Sequence, residues 1–349
     1  MSTLITGATG YLGARLLRRL LDDGEQVRAL VRDPNRLGIE HPNLEIVRGD
    51  MLDADSLARA VHGCARVYHA AAVVKEWVTD WSIFERVNVD AYETLLKICR
   101  SEGVERVVHT SSFMAIGQTD DAPGRIADET TEHEPHHHHN PYERTKYLAH
   151  LVTKKYVEAG VPIVTVNPGV IYGPGPVTEG NLVGGMIIDM TRHRFPGVPG
   201  NGKTRWCYAY VDDVVNGHVQ AMAKGRVGER YILGGENVTL DEFVERAKDE
   251  LGRWVPTMHL PLFLLMIGAH GMEQVAKLTG KAPMLTVGKV GVIKHNWAYS
   301  SAKAEQELGY AITPFAEGIR RTVADLRERG LVPPPKRIRG DAVPTEPRA

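Results

Sequence analysis

The sequence predicts an α/β fold, a doubly wound parallel sheet with a smaller, mostly helical lobe toward the C-terminus. Three observations predict it. A short apolar strand runs directly into the glycine-rich turn Gly7-Ala8-Thr9-Gly10-Tyr11-Leu12-Gly13 and then into a helical pattern. Strand-like and helix-like segments alternate five times, at lengths that suit right-handed βαβ crossovers. After residue 173 the alternation gives way to Gly- and Pro-rich chain and then to apolar helical stretches. A sheet of this Rossmann type places its ligand at the carboxyl ends of its strands.

Ser2 to Thr6 is the first strand, and the turn after it has the spacing Gly-x-x-Gly-x-x-Gly. Glycine lets the backbone turn tightly and approach a pyrophosphate. The N–H groups and positive dipole end of the following helix hold the negative charge. Gly7, Thr9, Gly10, Tyr11, Leu12 and Gly13 are therefore the expected cradle. The helix places Leu12, Leu16, Leu17, Leu20 and Leu21 on one face, and Asp22-Asp23-Gly24 stops it. Val27 to Val31 is the second strand, followed by Arg32 and Arg36. A carboxylate here would bond a ribose 2′-OH, whereas arginine accommodates a 2′-phosphate. The pair favours NADP(H), and Asp33 keeps NAD(H) open as the alternative.

Leu44 to Val47 is the third strand, ending in Gly49-Asp50-Met51, where Asp50 can meet an adenine amino group. Asp53 and Asp55 are expected to cap a helix from Ser56 to His62. Arg66 to His69 is the fourth strand; Ala70, Ala71 and Ala72 after it are small enough for a flat cofactor to lie against the backbone. His69 reads as a packed, hydrogen-bonded residue. A helix is expected over Phe84 to Arg100, and a fifth strand from Val104 to His109 ends in Thr110-Ser111-Ser112. Residues 117 to 140 form a polar loop containing His136 to His139. Four adjacent histidines cannot all face one ion, so the run reads as exposed chain near the pocket mouth, open to adventitious metal binding, and no catalytic metal is expected.

A helix from Pro141 to about Glu158 and a sixth strand, Val161 to Val166, lead to the exit Asn167 to Gly175. Residues up to about 204 read as irregular. Tyr208 to Val211, a helix Val214 to Ala223 capped by Asp212 and Asp213, and a strand at Tyr231 to Gly235 read as a return to the first domain. Helical patterns then cover Leu240 to Arg253, Pro261 to Thr279, Ser300 to Tyr310 and Phe315 to Glu328. The expected division is a dinucleotide-binding domain of residues 1–173 with 205–233, and a substrate-binding lobe of 174–204 and 234–330. Residues 331–349 are expected as a flexible tail, too poor in apolar residues from Val332 on to fold.

The chain has 349 residues, 43% apolar and 24% charged, with a formal net charge of -1, which gives no electrostatic reason for a nucleic-acid or anionic-membrane partner. Cys64, Cys99 and Cys207 show no Cys-x-x-Cys spacing, so neither a disulfide framework nor a structural zinc site is expected, and a cytoplasmic setting fits. The first strand begins at residue 2, so no leader peptide is expected. The most apolar window, Leu260 to Ala269, is too short to span a bilayer and reads as a buried helix or pocket wall.

Tyr142 and Lys146 lie four apart and share a helix face. An ammonium one turn away favours the phenolate and lowers a phenol's pKa, which suits proton transfer at neutral pH. A serine at the end of the neighbouring strand can orient a substrate carbonyl. With the Gly7–Gly13 turn and Thr110-Ser111-Ser112, these residues point to hydride transfer at a carbonyl or secondary alcohol.

The chain resembles the extended short-chain dehydrogenase/reductase superfamily over about residues 2 to 325. The matching residues are Thr6 to Gly13, Gly49-Asp50, His69 to Ala72, Asn88-Val89-Asp90, Thr110 to Ser112, Tyr142 with Lys146, Asn167 to Gly175, Tyr210 to Val214, and Lys303-Ala304 with Glu307 to Tyr310. Val27 to Pro34 is similar to the dihydroflavonol reductase and 3β-hydroxysteroid dehydrogenase branch, mostly NADP-dependent reductases. The resemblance implies Tyr142 as acid/base, Lys146 as ribose holder and pKa modulator, and Ser112 as the carbonyl-orienting hydroxyl, with its neighbour Ser111 the alternative. It also implies Asp50 and Met51 at the adenine, Ala71 near the cofactor, and Pro168, Gly169, Val170 and Ile171 along the nicotinamide. Nucleotide-sugar epimerases of the superfamily usually carry Arg where this chain has Asn167, and an acidic residue where it has Arg32. Both departures favour a small hydrophobic substrate (sterol-, flavonoid- or aldehyde-like) over an NAD-dependent nucleotide-sugar epimerase or dehydratase. Tyr142, Lys146 and Ser112 count against a non-catalytic NADP-sensing regulator. Many relatives pair as homodimers through the helices beginning near Phe84 and Tyr142, and a homodimer is expected.

Overall fold

The computed structural model describes residues 2–120 and 124–335. The first half alternates as expected. Strands β1 (Ser2–Thr6), β2 (Gln26–Val31), β3 (Leu44–Arg48), β4 (Cys64–His69), β5 (Arg106–Thr110) and β6 (Ile163–Pro168) alternate with helices α1 (Tyr11–Asp22), α2 (Ala54–Val61), α3 (Ser82–Glu85), α4 (Ala91–Ser101) and α5 (Pro141–Glu158), except that β2 and β3 are joined by a single 3-10 turn, Pro34–Arg36. Between α3 and α4 the helix widens into a π segment, Arg86–Asp90, so the single helix expected there is three pieces end to end.

The second half contributes β7 (Val170–Tyr172), α6 (Leu182–Thr191), β8 (Val198–Pro199), β9 (Arg205–Tyr210), α7 (Val211–Lys224), β10 (Arg230–Leu233), β11 (Glu236–Thr239), α8 (Leu240–Leu251), β12 (His259–Leu260), α9 (Leu262–Thr279), α10 (Val287–Ile293), α11 (Ala302–Leu308) and α12 (Phe315–Glu328).

The main sheet has the order β10-β6-β5-β4-β1-β2-β3 and is parallel throughout. Build order reverses between β1 and β4, which opens a crevice at their carboxyl ends. Leu16, Leu17, Leu20 and Leu21 of α1 pack one face of the sheet together with Val214, Val215 and Ala221 of α7. Leu57, Ala60 and Val61 of α2, Tyr92, Leu95 and Leu96 of α4, and Ala149 and Tyr156 of α5 cover the other. Both faces are thus buried, as near-continuous apolar strands such as Ile163 to Val166 require.

The lobe has its own core. β7, β9 and β11 form a separate three-stranded sheet, and Tyr208, Phe243 and Phe315 pack on it with Val183 and Ile187 of α6. The expected return of Tyr208 to Val211 to the first domain is only half realised: β9 stays with the lobe sheet, while α7 and β10 rejoin the large one. Residues 174–204 are not wholly irregular. Helix α6 escaped detection because it is apolar on nearly every side and the pair Gly184-Gly185 interrupts it. Asp212 and Asp213 do not cap α7; Asp212 pairs with Arg15, and Asp213 accepts from Thr313 N at 2.6 Å and Thr313 Oγ1 at 2.8 Å.

Two other expectations are corrected. Helix α9 is not a buried helix: Phe263, Leu264 and Ile267 are 63%, 53% and 66% exposed, and only Ala269 and Ala276 of the helix are buried. Val332 is packed in the lobe core with Leu331 beside it, because the chain turns back there onto α8 and α12. The rest of the expected tail, 336–349, and Pro123 of the 117–140 loop lie outside the described residues. The three cysteines are free and buried. Among the described residues, no helix is long and apolar enough to cross a membrane.

Candidate active site

The turn after β1 is built by contact between backbones. Gly7 has φ +77, in the left-handed region that glycine tolerates. A Cβ there would sit 2.6 Å from Ala70 C and Ala71 N, so Gly7 lies directly on the end of β4. A Cβ on Gly13 would collide with the Gly7 carbonyl in turn. Gly10 is the N-cap of α1 and no side chain caps that end, which leaves first-turn N–H groups of α1 free for a ligand. Thr9 and Gly10 are exposed at this opening. Tyr11 departs from its expected place. Its ring is buried and turned toward the lobe, where the hydroxyl donates to Pro174 O at 3.2 Å, so only its backbone remains for the cradle.

Ala70, Ala71 and Ala72 leave the neighbouring strand half-buried, and Thr6 ties the two strand ends together. Ala71 N donates to Thr6 Oγ1 at 3.3 Å, and that hydroxyl shares a 2.8 Å bond with His69 Nδ1. His69 is hydrogen-bonded core, as expected, and stacks on Tyr92 with its ring centre at 4.9 Å. Burial pushes its pKa down to about 3. Arg32 and Arg36 are exposed after β2, and among the described residues neither guanidinium has a hydrogen bond or ion pair. Asp33 is engaged as the N-cap acceptor for Asn35 N. Asp50 follows β3, with Oδ1 accepting from Leu52 N at 2.9 Å. Met51 packs partly buried against the α2–α4 side of the core.

Ser112, Tyr142 and Lys146 converge past the end of β5. Ser112 lies two residues beyond that strand and caps a 3-10 turn, Phe113–Ala115, its Oγ accepting from Met114 N at 3.2 Å. Asn140 caps α5 by accepting from Glu143 N, and Pro141 opens the helix, which fixes Tyr142 in its first turn. Ser112 stands near enough to Tyr142 for its hydroxyl to favour the phenolate in part. Lys146 is 4% exposed; its Nζ donates to Thr110 O at 3.0 Å and lies 5.7 Å from the centre of the Tyr142 ring. Electrostatics depart from expectation here. Burial pushes the Tyr142 phenol up to about 12, the Ser112 hydroxyl offsets this only in part, and Lys146 does not lower it. Burial also pulls the Lys146 ammonium down to about 8. Desolvation disfavours both charged forms and outweighs their mutual attraction at this separation.

Pro168 and Gly169 carry the chain from the large sheet to the small one. Gly169 N donates to Leu233 O, and a Cβ on Gly169 would lie 2.5 Å from Cys207 O. Val170 and Ile171 continue half-buried in β7. Asn167 Nδ2 donates to Ser112 O at 2.7 Å, so the residue that replaces the arginine of sugar-nucleotide enzymes positions the serine segment.

Two further residues support the site. Asn88, in the π segment, accepts from Val73 N at 2.7 Å and donates to Val73 O and to Thr145 Oγ1, on α5 one residue before Lys146. A polar residue within a buried helix face was the available signal. Phe113 packs edge-on to Trp297 and against Tyr299. Of the histidine run, His136 and His137 are exposed, as expected, whereas His138 and His139 turn inward.

A family model described as the NAD dependent epimerase/dehydratase family matches residues 3–234. The chain belongs to that family. Members of the same group are recognised as dehydrogenases and reductases of the extended short-chain type, and this chain is an enzyme of that type. It is 32% identical over 333 residues to a Synechocystis protein provisionally named dihydroflavonol 4-reductase, covering 94% of this chain and 95% of the relative. It is 33% identical over 337 residues to sterol demethylase protein B of Methylococcus capsulatus, covering 95% of this chain and 100% of the relative. Proteins named as 3β-hydroxysteroid dehydrogenases recur among further relatives. A crystal structure of a DesIV double mutant, a dTDP-glucose 4,6-dehydratase from Streptomyces venezuelae with NAD and DAU bound, superposes with a TM-score of 0.76 at 27% identity, covering 95% of this chain and 98% of that one.

Proposed function

We propose that the protein is an NADP(H)-dependent oxidoreductase that interconverts a carbonyl and a secondary alcohol on a hydrophobic substrate. The observation that carries this reading is the convergence of Ser112, Tyr142 and Lys146 at the same strand ends as the Gly7–Gly13 turn. The residues present fit a dinucleotide: two glycines without room for a side chain, an uncapped helix start, and two unpaired arginines after β2. Gly7, Thr9, Gly10, Leu12, Gly13 and the Tyr11 backbone would hold its phosphates. Arg32 and Arg36 would hold the 2′-phosphate, Asp50 and Met51 would flank the adenine, and Ala70 to Ala72 with Pro168 to Ile171 would line its path. The bound nicotinamide supplies or accepts the hydride. Ser112 Oγ then orients the substrate oxygen, Tyr142 Oη exchanges a proton with it, and Lys146 holds ribose hydroxyls. The names of the reductase, sterol and hydroxysteroid relatives support an apolar substrate.

A second reading, an NAD-dependent nucleotide-sugar dehydratase or epimerase, is favoured by the DesIV likeness. Arg32 and Asn167 speak against it. A panel of ketones, aldehydes and sterols assayed with NADPH and NADH separates the two. NADPH oxidation that disappears in Tyr142→Phe is expected. Turnover of nucleotide sugars alone, or full activity in Tyr142→Phe, would refute the reading. It includes a homodimer through α4 and α5, where Leu151 lies exposed; a monomer in sedimentation equilibrium would remove that part.

A further inference from the structure

Glu143 follows Tyr142 directly and is buried, yet both of its oxygens are engaged by the histidine-rich loop. Oε2 accepts from His139 N at 2.6 Å, and Oε1 lies 3.0 Å from His133 Nε2. The other ring nitrogen of buried His133, Nδ1, lies 2.7 Å from Glu134 O. A carbonyl only accepts, so Nδ1 carries a hydrogen, and Nε2 is left facing a carboxylate. The pair must either hold a proton between ring and carboxylate or hold a cation there. A third group points to the cation. His138 Nδ1 is shielded from solvent and has no hydrogen-bond partner. One ligand atom from each of His133, His138 and Glu143 lies within 4.8 Å of the others. The Tyr147 ring packs against both imidazoles and walls the cluster.

We propose that His133, His138 and Glu143 bind one divalent cation of the zinc type, which clasps the loop to the first turn of α5. Two imidazoles and a carboxylate are a ligand set that zinc accepts, and a tetrahedron with bonds of about 2.0–2.1 Å separates its ligand atoms by about 3.3 Å. His133 and Glu143 already stand close to that spacing, and rotation of the His138 side chain closes the third edge. A ligating histidine usually donates its other N–H to a backbone carbonyl, as His133 does to Glu134. His138 is the half-buried member, so an ion and a completing water reach the site from its side. Only one residue of the histidine run takes part, in keeping with the divergence of adjacent side chains. The ion is structural: it holds the turn that carries Tyr142 and takes no part in hydride chemistry. The site stands whether or not the oxidoreductase reading does.

The test is Co2+ titration of the full chain after removal of bound metal with a chelator. One Co2+ per chain with intense tetrahedral visible bands is expected, bleached by Zn2+. His138→Ala, which spares the buried pair, should weaken binding at least about tenfold and abolish the rise in Tm that Zn2+ gives the unaltered chain. A double variant, His136→Ala with His137→Ala, should bind as the unaltered chain does. A pale octahedral spectrum, undiminished binding in His138→Ala, or loss of binding in the double variant would overturn the proposal.

Discussion

Substituting Gly13 by alanine tests whether the first turn of α1 is the ligand cradle. The new methyl would fall on the Gly7 carbonyl, with its carbon 2.8 Å from Gly7 C. Ordinary carbon contacts are about 3.5–4.0 Å, so one partner must retreat by at least about 0.7 Å. Gly7 cannot, because it already lies against Ala70 and Ala71. The start of α1 must therefore move outward. A phosphate bond of about 2.9 Å from its N–H groups then stretches past about 3.5 Å and is lost as a hydrogen bond. Bonds to charged groups contribute about 1.5–3 kcal/mol each, so losing one raises the nucleotide Kd roughly tenfold to hundredfold. Four leucines of α1 still hold it to the sheet, so the fold should survive. NADPH fluorescence titration with a parallel thermal melt reads both effects. Gly271→Ala, at an exposed helical site with nothing within 4 Å, is the control and should leave binding unchanged. An unaltered Kd in Gly13→Ala would refute the assignment of the cradle.

Three further outcomes are expected. Removing Arg32 or Arg36 should lower the NADPH-to-NADH ratio of kcat/KM by about tenfold each, since exposed charge-assisted bonds sit at the lower end of their range; an unchanged ratio in the double Ala variant would dismiss the 2′-phosphate role. The Lys146 ammonium is lost as pH rises through about 8, while the Tyr142 phenol keeps its proton up to about 12. Carbonyl reduction should therefore decline above about pH 8 through Lys146 alone, and a profile flat to pH 10 would contradict this. Burial pushes His69 down to about 3 and His218 down to about 4, and His109 is also held well below its ordinary value. In the unfolded chain such histidines charge near pH 6.5, so the unfolded state binds more protons below it. Stability is then complete above about pH 6.5 and falls toward pH 4, by up to about 1.4 kcal/mol per pH unit for each histidine; a urea midpoint unchanged from pH 7 to pH 5 would count against it.

The strands β1 to β6 and the helices between them were legible because short apolar runs alternate with one-sided helical patterns and most end at a turn residue. The convergence of Ser112, Tyr142 and Lys146 followed from one helix register and one strand end. The lobe was harder to read for a physical reason. Helix α6 is buried on most of its surface, so it has no polar face to mark its period. Helix α9 departs in the opposite sense, since an apolar stretch predicts a covered helix and Phe263 and Ile267 are exposed. Electrostatics at Tyr142 could not be read from spacing either. Lys146 stands one turn away as expected, but burial and a bond to Thr110 O decide its effect.

Pro174 O accepts from two side chains of the cradle helix, Tyr11 Oη at 3.2 Å and Arg15 Nη2 at 2.9 Å. One contact between α1 and the start of the 174–204 segment is thus two struts meeting on one peptide oxygen. Substitution at Pro174 cannot delete that oxygen, so this contact is adjusted from the α1 side. Tyr11→Phe would take away one strut and leave the guanidinium in place, a graded loosening rather than a break. A designer seeking a different lobe posture, and with it a different substrate mouth, would begin at the Tyr11 and Arg15 side chains, neither of which is assigned to the reacting atoms.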